Sequence, residues 1–265
     1  MKRLGFYIII FTSIILYNCE RDLNVFSKKQ DIELGLQMKE QIESSPDFNV
    51  LAPGDYPQAY NHLYRIRDEI LENAEDIKFK DEFPWEVYII DDDVLNAFAC
   101  PGGYMYFYTG LINFLDDEAQ FAGVMAHEMA HVDFRHTTSQ LTKKYSYDFM
   151  VGLIFGKSET AMDSILRGVV GGVTFLKFGR DDEYQADEYA VKYLSDTKYN
   201  PLGASEFFEK LLEEEMTSGS TPVFLRTHPP EGDRVEAMKD VWLGIDSPEG
   251  GPYVTDFESF KSTLP

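Results

Sequence analysis

The residues best placed to do chemistry form the run HEMAH at positions 127–131. Apolar residues recur around it at helical spacing, and acidic residues precede it, as at the start of a helix. Because residues four apart lie on one helix face, His127 and His131 can both bind one metal ion. Glu128 lies beside that pair, where it can take a proton from a metal-activated water. This combination is the core of a zinc hydrolase, and the alternative is an accidental match on an ordinary helix.

A third ligand is predicted further along the chain. A catalytic zinc ion needs three protein ligands and one position left open for water. Glu183 and Asp187 lie four residues apart on a predicted helix and therefore share a face. Glu183 is predicted as the third ligand, and Asp187 is predicted to accept the hydrogen from the far nitrogen of a ligating histidine. An acidic helix face is usually only solvated, but this pair follows HExxH, which favours the site.

The hydrophobic pattern predicts an α+β domain that is mostly helical and has a small β-sheet. The predicted helices cover about 28–45, 56–77, 117–136, 180–196, 201–216 and 232–243, and the predicted strands cover 85–90 and 104–108. Pro101 and two glycines predict a tight turn before the second strand, and proline favours a sheet edge. The strand at 104–108 is therefore expected at the edge that lines the active site. The apolar residues 145–178 are expected to form either a helical hairpin over the site or plain core.

The motifs taken together resemble the gluzincin metallopeptidases of family M48, which includes the CAAX prenyl endopeptidase and the bacterial HtpX protease. HExxH is followed by Glu183 and Asp187 within an ExxAD segment, as in that family. Shorter motifs of the family are also matched, at Asn96-Ala97-Phe98 with Pro101-Gly102-Gly103, at Thr109-Gly110-Leu111-Ile112, at Tyr199-Asn200-Pro201, and at Thr227-His228-Pro229 followed by Arg234. The resemblance covers about residues 30–240 and is closest to the exported branch with BepA, LoiP and the Oma-type proteases. Asn200 replaces the commoner aspartate of a structural turn.

The resemblance implies a zincin-like fold and one zinc ion per chain, held by His127, His131 and Glu183. Glu128 would accept the proton of the zinc-bound water and pass it to the leaving amine of a peptide.

The resemblance also assigns His228 to the site, as a hydrogen-bond donor to the oxyanion. Arg234 would orient it or bind the substrate backbone. His228 could instead be a fourth ligand that holds the enzyme inactive until substrate displaces it, or simply a histidine satisfied within a turn.

An extended substrate is expected to pair with the edge strand by backbone hydrogen bonds, through Gly103, Tyr104, Met105 and Tyr106. Such pairing favours unfolded polypeptides over folded surfaces. His136 lies five residues past His131, about 140° away around a continuous helix, and is expected outside the ligand set.

The N-terminus resembles a bacterial lipoprotein signal. Two basic residues precede an apolar run over residues 4–17, which ends at Leu16-Tyr17-Asn18-Cys19. Residues 1–18 would be removed and Cys19 acylated, which predicts an exported protein of the periplasm or cell envelope, anchored to a membrane. An uncleaved anchor and a plain secretory signal are the alternatives. A single peptidase domain is expected over 19–243, followed by a C-terminal tail at 244–265.

Composition limits the partners. The formal net charge of −22 makes the chain a poor binder of nucleic acid. Only Cys19 and Cys100 are present, so a lipidated Cys19 would leave no disulfide. Two functions compete: an endopeptidase acting on misfolded envelope proteins, and a chaperone-like assembly factor with a mainly structural metal site. The presence of Glu128 favours the endopeptidase, because a structural site needs no base.

Overall fold

The computed structural model describes residues 24–145, 152, 177–230, 232–246 and 248–265. Cys19 and most of the apolar segment 145–178 lie outside the described residues. None of the described helices is long and apolar enough to cross a membrane.

The described residues form ten α-helices and a three-stranded sheet. The helices are α1 (Lys28–Ser44), α2 (Pro57–Asn73), α3 (Thr109–Phe114), α4 (Glu118–Asp133), α5 (His136–Lys144), α6 (Arg180–Ser195), α7 (Gly203–Ser218), α8 (Val223–Thr227), α9 (Arg234–Gly244) and α10 (Val254–Lys261). The strands are β1 (Glu86–Ile90), β2 (Ala97–Cys100) and β3 (Tyr104–Tyr108). This mostly helical α+β architecture is the fold class predicted from the sequence.

The strand Tyr104–Tyr108 lies in the centre of the sheet, so its predicted edge position is wrong. The strand order is β1-β3-β2, with β3 parallel to β1 and antiparallel to β2. The turn between β2 and β3 uses positive φ angles at Gly102 and Gly103, of 73° and 99°. Residues 97–100 therefore form a strand of their own ahead of the turn. Every residue of β3 is buried, as expected for a central strand without polar alternation.

Helix α4, which carries HExxH, runs through the centre of the protein. All of its residues are buried, and α6, α7 and β2 pack against it. The side chain of Asp117 begins the helix by accepting a hydrogen bond from the Gln120 amide at 2.9 Å. Glycine allows α7 to approach closely, because a Cβ at Gly123 would lie 2.2 Å from the Ala204 nitrogen.

Helix α4 ends at Asp133, three residues before the predicted end. Arg135 has a left-handed φ of 57°, and a separate helix, α5, begins at His136. The guanidinium of Arg135 holds this turn by donating to Asp31 and to the Phe26 carbonyl. The break turns the chain back towards the end of α4.

The N-terminal end of α4 contains a buried carboxylate with several partners. Glu118 accepts two hydrogen bonds from Arg65, at 2.6 and 2.5 Å, and one from the Tyr199 hydroxyl at 2.7 Å. The Lys198 ammonium lies 3.7 Å from it. This network joins α4 to α2 and to the turn before α7.

The C-terminal segment packs against the same end of α4. The Ala119 amide donates to the Pro252 carbonyl at 3.2 Å, and Tyr199 forms a β-bridge with Gly251. The rings of Phe257 and Phe260 lie 6.0 and 5.7 Å from that of Phe121. The hydrophobic pattern predicts no element after residue 243, and the structure has α10 there.

Candidate metal centre

Four side chains meet at the C-terminal end of α4 and could hold one metal ion. His127 and His131 come from α4, Glu183 from the start of α6, and His228 from the end of α8. One ligand atom from each lies within 4.8 Å of the others, and all four residues are buried. The structure therefore brings together the three predicted ligands and His228, which the sequence analysis left open as a fourth ligand.

The spacing of these atoms fits a tetrahedral cation. His127 Nε2 lies 3.1 Å from His131 Nε2 and 3.6 Å from Glu183 Oε2, and His131 Nε2 lies 3.6 Å from Glu183 Oε1. Ligand bonds of about 2.0–2.1 Å at tetrahedral angles place ligand atoms roughly 3.3 Å apart. The residues present therefore fit a divalent ion such as zinc.

His228 lies at the fourth corner of this tetrahedron. Its Nδ1 is 3.3 Å from His127 Nε2 and 3.1 Å from Glu183 Oε1. Its ring stacks on Phe224, with centroids 4.3 Å apart. Burial lowers the pKa of His228, but the charges of Glu183 and Glu128 outweigh burial and raise the pKa above its ordinary value. The distances place His228 where it could serve as a fourth ligand.

Glu128 lies beside the cluster with unused hydrogen-bonding capacity. Its Oε1 is 3.3 Å from His228 Nε2 but accepts no well-aligned hydrogen bond among the described residues. The Ala99 amide of β2 donates to its carboxylate. Burial raises the pKa of Glu128 above the ordinary value of a glutamate. A buried carboxylate that favours its protonated form is suited to accepting a proton.

A cavity of about 10 Å³ adjoins Glu128. It is lined by Asn96, Phe98, Ala99, Glu128, Phe178, Thr227 and His228. Asn96 Oδ1 is buried and has no hydrogen-bond partner among the described residues. The space is about that of one water molecule, so a peptide cannot enter without movement.

Arg234 contacts two buried carboxylates, that of the candidate ligand Glu183 and that of Asp187 behind the ligands. Its guanidinium donates two hydrogen bonds of 2.6 Å to Asp187 and lies 2.6 Å from Glu183 Oε2. Asp187 Oδ1 lies 3.0 Å from His127 Nδ1, as predicted for a carboxylate that orients a ligand. Burial opposes ionisation, but Arg234 lowers the pKa of Asp187, and His228 and Arg234 lower that of Glu183.

Arg234 also contacts the backbone of the THP turn. Its Nη1 lies 3.4 Å from the His228 carbonyl oxygen and 3.3 Å from that of Pro229. Of the two roles expected for Arg234, these contacts support orienting His228. The guanidinium is already engaged, which disfavours binding of a substrate backbone.

His136 is not among the candidate ligands, as expected, but its contacts with the ligand His131 and with Gln185 were not predicted. His136 Nδ1 lies 2.9 Å from His131 Nδ1, and His136 Nε2 lies 3.0 Å from Gln185 Oε1. The expected separation of 140° assumed one continuous helix, whereas the chain turns back at Arg135. The residues at 134–135 include no glycine or proline that would mark this break in the sequence.

The residues predicted to bind substrate do not lie at an open edge. Tyr104, Met105 and Tyr106 belong to the central strand, and Gly103 lies in the turn before it. Among the described residues β2 pairs with β3 alone, and its Ala99 amide reaches Glu128. The strand edge beside Glu128 is therefore that of β2.

Comparison with known proteins identifies similar chains. Over 164 residues the chain is 31% identical to the beta-barrel assembly-enhancing protease of Escherichia coli (strain K12), which covers 58% of this chain and 34% of the relative. It is 26% identical over 193 residues to a putative protein of that name in Vibrio cholerae, an alignment that covers 69% of this chain and 39% of the relative. It is 28% identical over 169 residues to the mitochondrial metalloendopeptidase OMA1 of Saccharomyces cerevisiae, covering 62% and 48%.

The chain thus spans about a third to a half of the length of these curated relatives. The sequence model of Peptidase family M48 matches residues 62–241. This range contains all four candidate ligands together with Glu128, Asp187 and Arg234. Since this match covers well over half of the sequence, the chain belongs to Peptidase family M48.

Proposed function

We propose that this chain is a zinc-dependent endopeptidase that hydrolyses peptide bonds of unfolded or misassembled proteins of the cell envelope. One observation carries the proposal: three buried ligands at tetrahedral spacing lie directly beside a buried glutamate that lacks a full set of hydrogen bonds. A structural metal site needs the ligands but not the adjacent base. The names of the relatives, an assembly-enhancing protease and a metalloendopeptidase, support the same reading.

Each residue has a distinct role in the proposed reaction. Zinc, when bound, supplies Lewis acidity and lowers the pKa of water. Glu128 accepts a proton from the water that attacks the peptide carbonyl, and then donates it to the amine that leaves when the C–N bond breaks. Asp187 and Arg234 keep His127 and Glu183 in place from behind.

The substrate is proposed to pair with β2. An extended peptide on this edge would lie next to Glu128. Asn96 Oδ1, which has no hydrogen-bond partner among the described residues, would accept a hydrogen bond from a backbone N–H of the peptide. Only a chain in extended form can add to a strand edge, so unfolded segments are the proposed substrates. The substrate-binding role moves from residues 103–106 to residues 96–99.

His228 is proposed to act as a fourth ligand in the resting state. Its Nδ1 lies at the fourth corner, and the cavity beside Glu128 has no room for a peptide. A peptide that adds to β2 would displace the turn at 227–229 and free this corner. His228 would then face the scissile carbonyl, where it can donate to the developing oxyanion.

Export and lipid attachment at Cys19 are proposed on the leader-like pattern of residues 1–19. Expression of the whole chain in a bacterial host tests this part separately. Cys19→Ser should move the protein from the membrane fraction to the soluble fraction of the envelope. An unchanged membrane association would contradict the lipid anchor.

The main test is cleavage of an unfolded casein by purified protein, with and without bound zinc. Activity should be lost with a chelator and regained with zinc, and Glu128→Gln should lower it by about 10²–10⁴-fold. Glu118→Gln, the same substitution on the same helix, is the matched control and should remain active. Cleavage that persists in Glu128→Gln would refute the role of Glu128. Binding of casein without cleavage by the wild type would favour a chaperone-like factor instead.

A second experiment addresses His228. If it is a resting ligand as well as an oxyanion donor, His228→Ala should bind zinc more weakly than the wild type and also lose kcat. If it acts only as an oxyanion donor, the variant should lose about 10²–10³-fold in kcat with unchanged zinc affinity.

A further inference from the structure

A fourth histidine at the metal centre, His136, is not among the candidate ligands and has no role in the proposed reaction. It is 4% exposed and begins α5, directly after the left-handed turn at Arg135. Its ring lies between the ligand His131 and Gln185 of helix α6. A buried imidazole with two polar partners of this kind can fix which nitrogen of the neighbouring imidazole is protonated.

The direction of these hydrogen bonds follows from the ligand geometry. His131 Nε2 faces the cluster, 3.1 Å from His127 Nε2, so this nitrogen binds the metal and carries no hydrogen. The hydrogen of a neutral His131 is then on Nδ1, which lies 2.9 Å from His136 Nδ1. Two nitrogens at this distance need one donor and one acceptor, so His136 Nδ1 accepts.

The same reasoning fixes His136. Because its Nδ1 accepts, its own hydrogen is on Nε2, which lies 3.0 Å from Gln185 Oε1. An amide oxygen accepts, so the chain from His131 through His136 to Gln185 is consistent in one direction only. Phe178 stacks on the ring of His131, with centroids 3.9 Å apart, and covers that face of the ring. The polar contacts that orient His131 are therefore those of its two nitrogens, in the plane of the ring.

The two ligand histidines are therefore supported differently. His127 Nδ1 faces the carboxylate of Asp187 at 3.0 Å, whereas His131 Nδ1 faces a neutral imidazole. A carboxylate partner increases the electron density on its ligand more than an imidazole does. The neutral partner adds no further charge to a buried site that already contains Glu128, Glu183 and Asp187.

We propose that His136 is a positioning residue, which Gln185 holds in place and which fixes the tautomer and ring orientation of His131 for metal binding. The proposal rests on the metal site of the proposed function, but it concerns metal affinity and not proteolysis. Loss of such a partner typically weakens metal binding by about 10–100-fold.

A matched pair of variants tests the proposal through zinc affinity, measured by competition with a chelator. His136→Asn places an acceptor oxygen near the position of Nδ1, whereas His136→Leu has similar volume and no acceptor. His136→Leu should weaken zinc binding by about 10–100-fold, and His136→Asn should restore most of the loss. The visible absorption of bound cobalt(II) should change in the leucine variant and return towards that of the wild type in the asparagine variant. Equal affinity of all three proteins, or equal losses in both variants, would overturn the proposal.

Gln185 offers a second pair if His136→Leu does not fold. Gln185→Leu removes the acceptor for His136 and should weaken zinc binding, whereas Gln185→Glu keeps an acceptor oxygen and should not. Unchanged affinity in Gln185→Leu would overturn the role of Gln185. A wild type that binds zinc but cleaves no casein would refute the proposed function and leave these comparisons valid.

Discussion

The two ends of helix α4 each contain a buried glutamate, and the two residues differ in their partners. Glu118 is fully buried and accepts hydrogen bonds from Arg65 and Tyr199. Burial opposes its ionisation, but these partners lower the pKa of Glu118 below its ordinary value. Glu128 is equally buried, has one oxygen without a hydrogen bond among the described residues, and has its pKa raised by burial.

The comparison shows that burial alone does not identify a reactive carboxylate. Both glutamates occur on the same apolar helix and have almost no exposure. A carboxylate with all its acceptor positions used is stabilised in its charged form and joins elements together. A carboxylate with unused positions can accept a proton from a substrate or a water, at a cost in stability.

Arg234→Met should have the largest effect on stability. The substitution leaves Asp187 and Glu183 buried without their cation, which typically costs about 3–5 kcal/mol. Urea unfolding of the metal-free protein measures the loss. Arg65→Met is the matched change at the other end of α4, and it should cost less because Lys198 and Tyr199 remain near Glu118. Equal losses would contradict the difference between the two ends.

Glu118→Gln should lower the free energy of unfolding by about 2–3 kcal/mol at pH 7, because it removes the charge that Arg65 and Lys198 face. The folded-state pKa of Glu118 is lowered, so its stabilisation is present above the unfolded pKa of about 4.3 and is lost as the pH falls through the folded pKa. The difference between wild type and variant should therefore be constant above about pH 5 and shrink below about pH 4. A difference that does not depend on pH would refute the ionic role.

Glu128→Gln should have the opposite sign, raising the free energy of unfolding of the metal-free protein by about 1 kcal/mol at pH 7. The folded-state pKa of Glu128 is raised, so its contribution to stability is full below the unfolded pKa and is lost as the pH rises through the folded pKa. The advantage of the variant should therefore grow from about pH 4 upwards. Urea unfolding at several pH values measures this difference. A variant less stable than the wild type would show that the buried Glu128 carboxylate does not destabilise the folded protein.

Tyr199→Phe should have the smallest destabilising effect. It removes one hydrogen bond to Glu118 and leaves those from Arg65, which costs about 1 kcal/mol. Tyr193→Phe is the control, because the Tyr193 hydroxyl donates to the buried Asp133 at 2.8 Å and has no contact with either glutamate. Thermal unfolding should show similar losses of stability in both variants. Casein cleavage by both variants should be unchanged.

The helical parts of the site could be predicted from the sequence. HExxH and the pair Glu183 and Asp187 each depend only on spacing along one helix, and the structure places all of them at one centre. Helical periodicity also located most element boundaries to within a few residues, because apolar faces repeat there every three to four positions.

Features that depend on pairing between distant segments could not be predicted in the same way. The central position of β3 follows from β1 joining its free side, which no local pattern in Tyr104–Tyr108 specifies. The contact of His136 with His131 depends on a left-handed Arg135, a conformation that arginine rarely adopts without support such as that from Asp31. Helix α10 is short, and only Phe257 and Phe260 on its buried side mark it.

The C-terminal segment also affects when helix α4 can complete its packing during synthesis. Helix α4 is seated at its first turn by Pro252 and by the rings of Phe257 and Phe260, more than a hundred residues further along the chain. On a translating ribosome the HExxH helix therefore emerges long before the residues that complete its packing. Helix α4 therefore reaches its final packing only after residues 248–261 have left the exit tunnel.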